Sequence, residues 1–360
     1  MPEYIIGQDI PRGGVSSLSK FHGKEVAFFS DRAGTVTLDK EQLGSYSISA
    51  PNSKCFANPF GWNTKLGYKN YTPKVFKAHE STIDNFLKSL VQLSKTQSSN
   101  VKLSSYKVFC PSSFFQYISV KRQSRFYILW YNNRYIIASN ETREGQNVLM
   151  SYAGIRFEDL LTHGTTQKTI NNYNLYESVI ETKINGLNCL YCAEIDSFDK
   201  ESEAYTEIKM VLCKSNLPHA KTTNKKSVLK SLSKGNVYFG SFLFRLLIQC
   251  KFANDLKVVI GIRDQSFTIR NITEFSVEDD LLPFFHQLYP EYYEKYMASM
   301  ELIQRVFSTI INQVTRENPV FYLEIGSQYT LKSVDSVSER RRILERFMPS
   351  EFISLVDSFD

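Results

Sequence analysis

The chain has 360 residues, of which 42% are hydrophobic and 14% aromatic, and this composition excludes a disordered protein. No apolar run approaches the roughly 18 residues of a membrane span, and the N-terminal stretch MPEYIIGQDI lacks the features of a signal peptide. Six cysteines in so long a chain do not indicate a disulfide framework, and the net charge of +6 suits an anionic partner without requiring one. We therefore expect an intracellular protein, without a membrane partner, folded as one α+β domain over residues 1–360.

The first part of the chain predicts a turn-rich layer followed by a helix and a hairpin. The first 72 residues are rich in Gly, Ser, Asn and Pro, with short strand-like runs at 26–29 and 35–38. Apolar residues recur at helical spacing over 75–93, which predicts an amphipathic helix. Between two aromatic-rich runs, the pair Asn132-Asn133 indicates a hairpin turn.

The second half of the chain predicts helices and strands in mixed order, with a lysine-rich segment among them. Residues 214–235 carry six lysines among Ser, Thr and Asn, and we expect a long polar loop. An apolar helix over 237–252 carries Arg245 and Gln249, which are four residues apart and share one face. The remaining predicted elements are helices at 147–162 and 289–315, a basic helical turn at 340–342, and strands at 256–264, 267–275 and 319–325.

The most informative stretch lies between Cys189 and Cys213. Residues 193–196 and 205–211 alternate apolar and charged side chains, which predicts two strands joined by the polar linker 197–204. Because side chains two apart on a strand share a face, Glu194 and Asp196 point the same way. Glu207 and Lys209 do so as well. If the hairpin brings these faces together, three carboxylates and one ammonium group lie on one patch of sheet.

Three carboxylates in contact resist ionisation unless a positive charge lies among them, and a divalent cation would supply it. Ligation by oxygen alone favours Mg²⁺ or Mn²⁺ over Zn²⁺. A metal ion with a neighbouring lysine suits phosphoester and phosphoanhydride hydrolysis. A solvated strand face with cross-strand ion pairs would produce the same sequence pattern, so this alternative stays open.

Three short motifs follow one another along the chain: Gly154-Ile155-Arg156-Phe157-Glu158, then Glu194-Ile195-Asp196, then Glu207-Ile208-Lys209. This series resembles the DXO/Rai family of RNA 5′-end decapping enzymes, and the helix that carries Gln249 is similar to the family's next motif. The resemblance covers residues 60–275. It implies two twisted mixed β-sheets flanked by helices, an active-site cleft between them, and a metal hairpin like that of PD-(D/E)XK nucleases.

The resemblance also implies a role for each site residue. Glu158, Asp196, Glu207 and the backbone carbonyl of Ile208 would hold Mg²⁺ or Mn²⁺. Glu194 would act directly or through water, and Lys209 would position the attacking water or a phosphate oxygen. Gln249 and Arg156 would contact the 5′ end of the substrate.

The activity implied is hydrolysis at RNA 5′ ends, either removing pyrophosphate from triphosphorylated RNA or a cap dinucleotide from incompletely capped RNA. NAD-cap removal and slow 5′→3′ exoribonuclease action are implied as further activities, in the nucleus or alternatively the cytoplasm. A second hypothesis is a stabilising partner of a Rat/Xrn-type nuclear 5′→3′ exoribonuclease, as in the fungal Rai-like branch that the chain resembles most. A third is a DNA nuclease of the PD-(D/E)XK type. The chain departs from the family at 108–113, where many members carry an Arg-Gly motif and this sequence has no arginine.

Overall fold

The structure is a computed structural model. It describes residues 2–7, 18, 21–46, 62–71, 83–96, 101–139, 148–162, 174–214 and 224–359. Four predictions fall partly outside these residues, namely much of the N-terminal layer expected over 1–72, the first half of the helix expected at 75–93, the first residue of the helix expected at 147–162, and residues 215–223 of the expected loop.

The described residues form fifteen strands and nine α-helices. The strands are β1 Glu3–Ile6, β2 Lys24–Arg32, β3 Thr35–Thr37, β4 Ser45–Tyr46, β5 Val108–Pro111, β6 Ser124–Tyr131, β7 Arg134–Ser139, β8 Asn174–Ile184, β9 Leu187–Glu194, β10 Ser197–Asp199, β11 Ala204–Leu212, β12 Lys257–Arg263, β13 Ile269–Ser276, β14 Val320–Ile325 and β15 Tyr329–Ser333. The helices are α1 Asp84–Lys95, α2 Ser112–Val120, α3 Val148–Thr162, α4 Lys225–Gly235, α5 Phe239–Ala253, α6 Leu282–Leu288, α7 Pro290–Gln313, α8 Val337–Phe347 and α9 Ser350–Asp357.

The strands form two mixed sheets, which confirms the predicted α+β architecture. The large sheet has the order β1-β15-β14-β6-β7-β5-β9-β8-β2-β3, and the small sheet has the order β13-β12-β11-β10-β4. Parallel pairs occur in both, with β5 between β7 and β9 in the large sheet and β11 beside β12 in the small one. Among the described helices, none is both long enough and apolar enough to cross a bilayer.

Helices cover both faces of the large sheet. One hydrophobic cluster joins α2, α5 and α7 to strands of both sheets, and the Phe115 ring of α2 lies 5.2 Å from Phe252 of α5 and 6.1 Å from Phe307 of α7. A second cluster packs α1, α8 and α9 on β5, β6 and β7 of the large sheet. In a third, Phe157 of α3 packs on Ile208 and Val259 of the small sheet. The small sheet is therefore approached by α3 and by α5.

Several sequence predictions are confirmed. The Asn132-Asn133 hairpin joins β6 to β7, and both asparagines have positive φ, 42° and 58°, as a tight turn between right-twisted strands requires. The helices expected at 147–162, 237–252 and 289–315 are α3, α5 and α7, each within two residues of its predicted ends in the described range.

Three predictions are wrong. The expected polar loop at 214–235 contains the helix α4, whose N-cap Asn224 accepts a hydrogen bond from the Ser227 amide and whose buried side chains are Val228, Leu229 and Leu232. Three apolar residues among lysines are too few to reveal a helix by periodicity. The N-terminal layer is also less irregular than expected: its strand-like runs at 26–29 and 35–38 are confirmed as β2 and β3, but β2 has nine residues and pairs with β8.

The third wrong prediction concerns the hairpin. The two charged strands do not pair with each other, because β9 belongs to the large sheet and β11 to the small one. The chain leaves β9 after Glu194 and enters β10 at Ser197, and the actual hairpin is formed by β10 and β11. Asp196 therefore lies in the crossing between the sheets and not on a strand face shared with Glu194.

Candidate active site

The candidate site lies where the chain crosses from one sheet to the other. Glu194 is the last residue of β9, Asp196 lies in the crossing itself, and Glu207 and Lys209 lie on β11. Because Glu207 and Lys209 are two apart on a strand, they share a face. Gln249 reaches this face from α5. These four segments meet at the seam of the two sheets, and Glu158 of α3 adds a fifth.

Lys209 is at the centre of the site. Its Nζ donates to Glu207 Oε1 and lies 3.5 Å from Asp196 Oδ2. The Lys209 side chain is 32% exposed, while that of Glu207 is fully buried and that of Asp196 is 8% exposed. Burial alone would lower the pKa of Lys209, but the negative charges of Asp196, Glu158 and Glu194 outweigh it and raise that pKa. Lys209 is therefore a protonated cation held by carboxylates.

Glu207 and Asp196 are fixed by further hydrogen bonds. Gln249 Nε2 donates to Glu207 Oε2 at 2.8 Å, so both oxygens of this buried carboxylate have a donor. Asp196 Oδ2 accepts from the backbone amide of Ile208 at 2.8 Å. Such contacts hold the carboxylate oxygens in one orientation.

Glu158 lies close enough to interact electrostatically with the other acidic groups. Its pKa is raised well above the ordinary value, first by burial and then by the negative charges of Asp196 and Glu194, while Lys209 opposes the rise. Several carboxyl groups share one ammonium group in this site. One of them is therefore expected to resist ionisation. The site can accept more positive charge than Lys209 alone supplies.

The structure brings together six of the residues that the sequence predicts to form the site: Glu158, Glu194, Asp196, Glu207, Lys209 and Gln249. Arg156 is placed differently. Its guanidinium is buried and pairs with Asp159 at 3.2 Å, and two residues along a helix place Arg156 and Glu158 on opposite sides of α3.

The donor chemistry fits a hard divalent cation, because the site offers several carboxylate oxygens. Within the part of the chain that the structure describes, no three His, Cys, Asp or Glu side chains are arranged so that they could hold a metal ion together. The Lys209 ammonium contacts both Asp196 and Glu207. A metal ion would be held by Glu158, Asp196, Glu207 and the Ile208 carbonyl once that ammonium moves aside.

Sequence reasoning missed one acidic residue near the site. Asp255 follows the C-terminus of α5, is 3% exposed, and has no hydrogen-bond partner for either carboxylate oxygen among the described residues. Burial raises its pKa well above the ordinary value, the negative charge of Asp196 raises it further, and Lys209 opposes the shift. No local pattern marks Asp255, because its burial arises from the packing of α5 against the two sheets.

The Asp255 carboxyl should destabilise the fold as the pH rises. Its folded-state pKa lies above its unfolded value of about 3.8, so the folded state binds the proton more tightly, and stability is lost between that pH and the folded-state pKa. Replacing Asp255 by Asn removes this titration. We expect the free energy of unfolding of Asp255→Asn, relative to the wild type, to increase from pH 4.5 to pH 7, measured by urea denaturation with EDTA.

Asp264 provides a control of opposite sign. Its pKa is lowered to about 2, although burial alone would raise it, because Ser266, Thr268 and Arg270 donate hydrogen bonds to the carboxylate. Asp264→Asn should therefore lose stability relative to the wild type as the pH rises from 2 to 5. A pH-independent difference between Asp255→Asn and the wild type would contradict the account of Asp255.

Comparison with known proteins places this chain in a family. Residues 22–353 match the family described as RAI1 like PD-(D/E)XK nuclease. The decapping and exoribonuclease protein 1 of Kluyveromyces lactis is 28% identical over 142 residues, which are 39% of this chain and 31% of that protein. The match thus spans about a third of the length of this curated relative.

Two solved structures share the fold along their whole length. Rai1 of Candida albicans, in complex with pU5 and Mn²⁺, superposes with a TM-score of 0.75 at 16% identity and covers 100% of both chains. Rai1 of Scheffersomyces stipitis, in complex with (3'-NADP)+ and calcium, has a TM-score of 0.71 at 18% identity and covers 99% of this chain and 98% of that one. These two structures show the shared fold, and the family match over residues 22–353 shows that the chain belongs to the RAI1-like PD-(D/E)XK nucleases.

Proposed function

We propose that this protein is a divalent-metal-dependent hydrolase of RNA 5′ ends. Its reactions are the removal of pyrophosphate from 5′-triphosphate RNA and of the cap dinucleotide from incompletely capped RNA. The observation that carries the proposal is the group of Asp196, Glu207 and Glu158 around the Lys209 ammonium, at the seam of the two sheets. Family membership and the C. albicans Rai1 complex with pU5 and Mn²⁺ support the same reading.

A bound Mg²⁺ or Mn²⁺ ion would supply Lewis-acid neutralisation of the scissile phosphate and an activated water. The chain's own residues position the reactants. Lys209 carries a positive charge on a flexible stem that can move from the carboxylates to a phosphate oxygen. Gln249 holds Glu207 in one orientation through the 2.8 Å hydrogen bond and can share its amide with the substrate. Glu194, at the exposed end of β9, would act directly or through water.

The segment 108–113, where many members of the family carry an arginine, forms β5 and the start of α2, and β5 is buried along its length. Phosphate binding beyond the scissile group must therefore use other cations in this chain. The absence of the arginine leaves the carboxylates and Lys209 unchanged. It affects which substrates the protein selects.

The proposal is tested with purified protein, Mg²⁺ or Mn²⁺, and internally labelled RNAs that differ only at the 5′ end. The ends are triphosphate, unmethylated cap, methylated cap, NAD cap and monophosphate. We expect release of pyrophosphate or a cap dinucleotide from the first two, abolished by EDTA. Degradation of the monophosphate RNA would add exoribonuclease activity. No turnover of any of the five would overturn the proposal and favour the role of an exoribonuclease-stabilising partner.

Gly261 of β12 gives a way to move Glu158 without changing it. A Cβ at Gly261 would lie inside the van der Waals distance of the Phe157 ring, which precedes Glu158 on α3. Gly261→Ala should therefore displace α3, destabilise the fold by about 1–3 kcal/mol and lower kcat at least about tenfold, since small misplacements in an active site are costly. Thermal melting and RNA hydrolysis measure the two effects.

Gly326→Ala is the control, because the nearest atom to its Cβ would be a carbonyl oxygen at 4.0 Å. This variant should keep the wild-type stability and turnover. Gly261→Ala could melt at a lower temperature than the wild type and still hydrolyse RNA at the wild-type rate at 20 °C. That result would show that the position of α3 does not determine the contribution of Glu158 to turnover.

A further inference from the structure

A row of lysines lies on the exposed side of α4. Lys226, Lys230 and Lys234 are spaced four residues apart, all three are exposed, and the opposite side of the helix buries Val228 and Leu229. This spacing places one ammonium group about every 6 Å along the helix. Among the described residues, none of the three ammonium groups has an ion-pair partner, whereas Lys225, on another side of α4, pairs with Asp280 at 2.7 Å.

A second row leads from α4 to the active site along α5. Gln249 contacts Glu207, and Arg245, one turn earlier on the same face, is exposed. Tyr238, at the N-cap of α5, continues this face and is 74% exposed. Tyr238 and Gln249 are about 16 Å apart along the helix. A polar and aromatic path therefore runs outward from the site.

The two rows are joined by the end of β11. The Asn236 side chain, in the connection between α4 and α5, donates to the Leu212 carbonyl at 3.3 Å, and the Lys214 amide donates to the Gly235 carbonyl at 3.3 Å. Glu207 and Lys209 lie earlier on this same strand. The C-terminus of α4 is thus fixed at the end of the strand that carries the catalytic groups.

We propose that Lys226, Lys230, Lys234, Tyr238 and Arg245 form a binding track for the single-stranded body of the RNA, downstream of its 5′ end. The inference rests on the proposed function, because Gln249 marks where the 5′ end is held. Arg245 and the lysines contact successive phosphates, and Tyr238 stacks on one base. Evenly spaced cations with an exposed aromatic ring suit a single strand, whose bases are free to stack. The track supplies phosphate contacts in a chain that lacks the family's arginine at 108–113.

The test compares the triple variant K226Q/K230Q/K234Q with the wild type. Binding of an RNA of about 20 nucleotides is measured with EDTA, so that hydrolysis does not interfere. We expect about tenfold weaker binding, and the slope of log K against log [salt] should decrease in magnitude by about 2, as three lost phosphate contacts predict for a single strand. Hydrolysis of a 5′-triphosphate dinucleotide should be unchanged, because it is too short to reach Tyr238.

K88Q/K95Q/K102Q is the matched control, since it removes the same charge from exposed lysines on and near α1, which packs on the other face of the large sheet. It should bind the long RNA like the wild type. Tyr238→Ala should weaken binding of the long RNA about fivefold with an unchanged salt slope. Equal losses of affinity for the long RNA in the two triple variants would overturn the proposed track, and so would no loss in K226Q/K230Q/K234Q. Neither result would affect the proposed function. If the wild type hydrolyses neither RNA, the proposed function fails, and the EDTA binding data still decide the track.

Discussion

Replacing Glu207 by Gln and Asp196 by Asn together is expected to abolish metal-dependent hydrolysis of RNA 5′ ends. These two carboxylates contact Lys209, and their side chains are 8% and 0% exposed, for Asp196 and Glu207 respectively. Losing both removes the charge that would hold a divalent cation. We expect turnover to fall at least about 1,000-fold, which corresponds to ~4 kcal/mol of activation free energy. The measurement is pyrophosphate release from 5′-triphosphate RNA with Mn²⁺.

Asp199→Asn is the matched control for this pair. Asp199 lies on β10 of the same sheet, its side chain is 6% exposed, and it accepts from Lys257 Nζ at 2.6 Å. Its loss should lower stability without lowering turnover by more than a few-fold. Circular dichroism in EDTA establishes whether the double variant is folded. If Glu207→Gln prevents folding, the single variant Asp196→Asn is tested in its place. Wild-type turnover in the folded double variant would exclude these carboxylates from the chemistry.

Replacing Lys209 by Met should affect both activity and stability, and the loss of stability should depend on metal. Without the ammonium group, the fully buried Glu207 loses its cation. Removing one partner of a buried ion pair typically lowers the free energy of unfolding by about 3–5 kcal/mol. Because Lys209 is partly exposed, we expect a loss at the lower end, about 3 kcal/mol. Turnover should fall about 100-fold through the loss of a positioning cation. Denaturation by urea in EDTA measures the loss of stability.

Mn²⁺ should restore part of this stability, because a metal ion that binds only the folded state stabilises it by mass action. Lys257→Met is the control: Lys257 lies on the neighbouring strand β12, with Asp199 and Glu274 as partners. That variant keeps the Lys209 ammonium between Asp196 and Glu207, so Mn²⁺ should stabilise it only as much as the wild type and less than Lys209→Met, and it should keep its turnover. An Mn²⁺ effect of equal size in both variants would show that the Lys209 ammonium does not compete with the metal for these carboxylates.

The sequence identified most of the site although it assigned the wrong strand pairing. Asp196, Glu207 and Lys209 were expected to meet on one hairpin, and they do meet, but Glu194 arrives from the large sheet. Period-two alternation shows which side chains share a face of one strand and does not show which strands pair. The family motifs supplied what alternation could not, since their order along the chain predicted that α3 and α5 would contribute Glu158 and Gln249.

Other features depend on packing that short motifs do not encode. Arg156 was predicted to contact substrate from its place in the glycine motif, and the structure pairs it with Asp159 on the other side of α3. That role therefore stays a prediction. Asp255 carries no local signal at all, and α4 has too few apolar residues to be recognised. In each case burial is decided by elements distant in the sequence, which single-sequence patterns cannot specify.

The crossing between the sheets has a consequence for protein engineering. Transplanting the β10–β11 hairpin onto another sheet, with the residue that precedes it, would carry Asp196, Glu207 and Lys209. It would leave behind Glu194 on the large sheet, Glu158 on α3 and the Gln249 amide that holds Glu207. The smallest portable form of this site is therefore a docked pair of sheets with two helices, and a designed scaffold would have to reproduce that seam before the three-residue motifs acquire their chemistry.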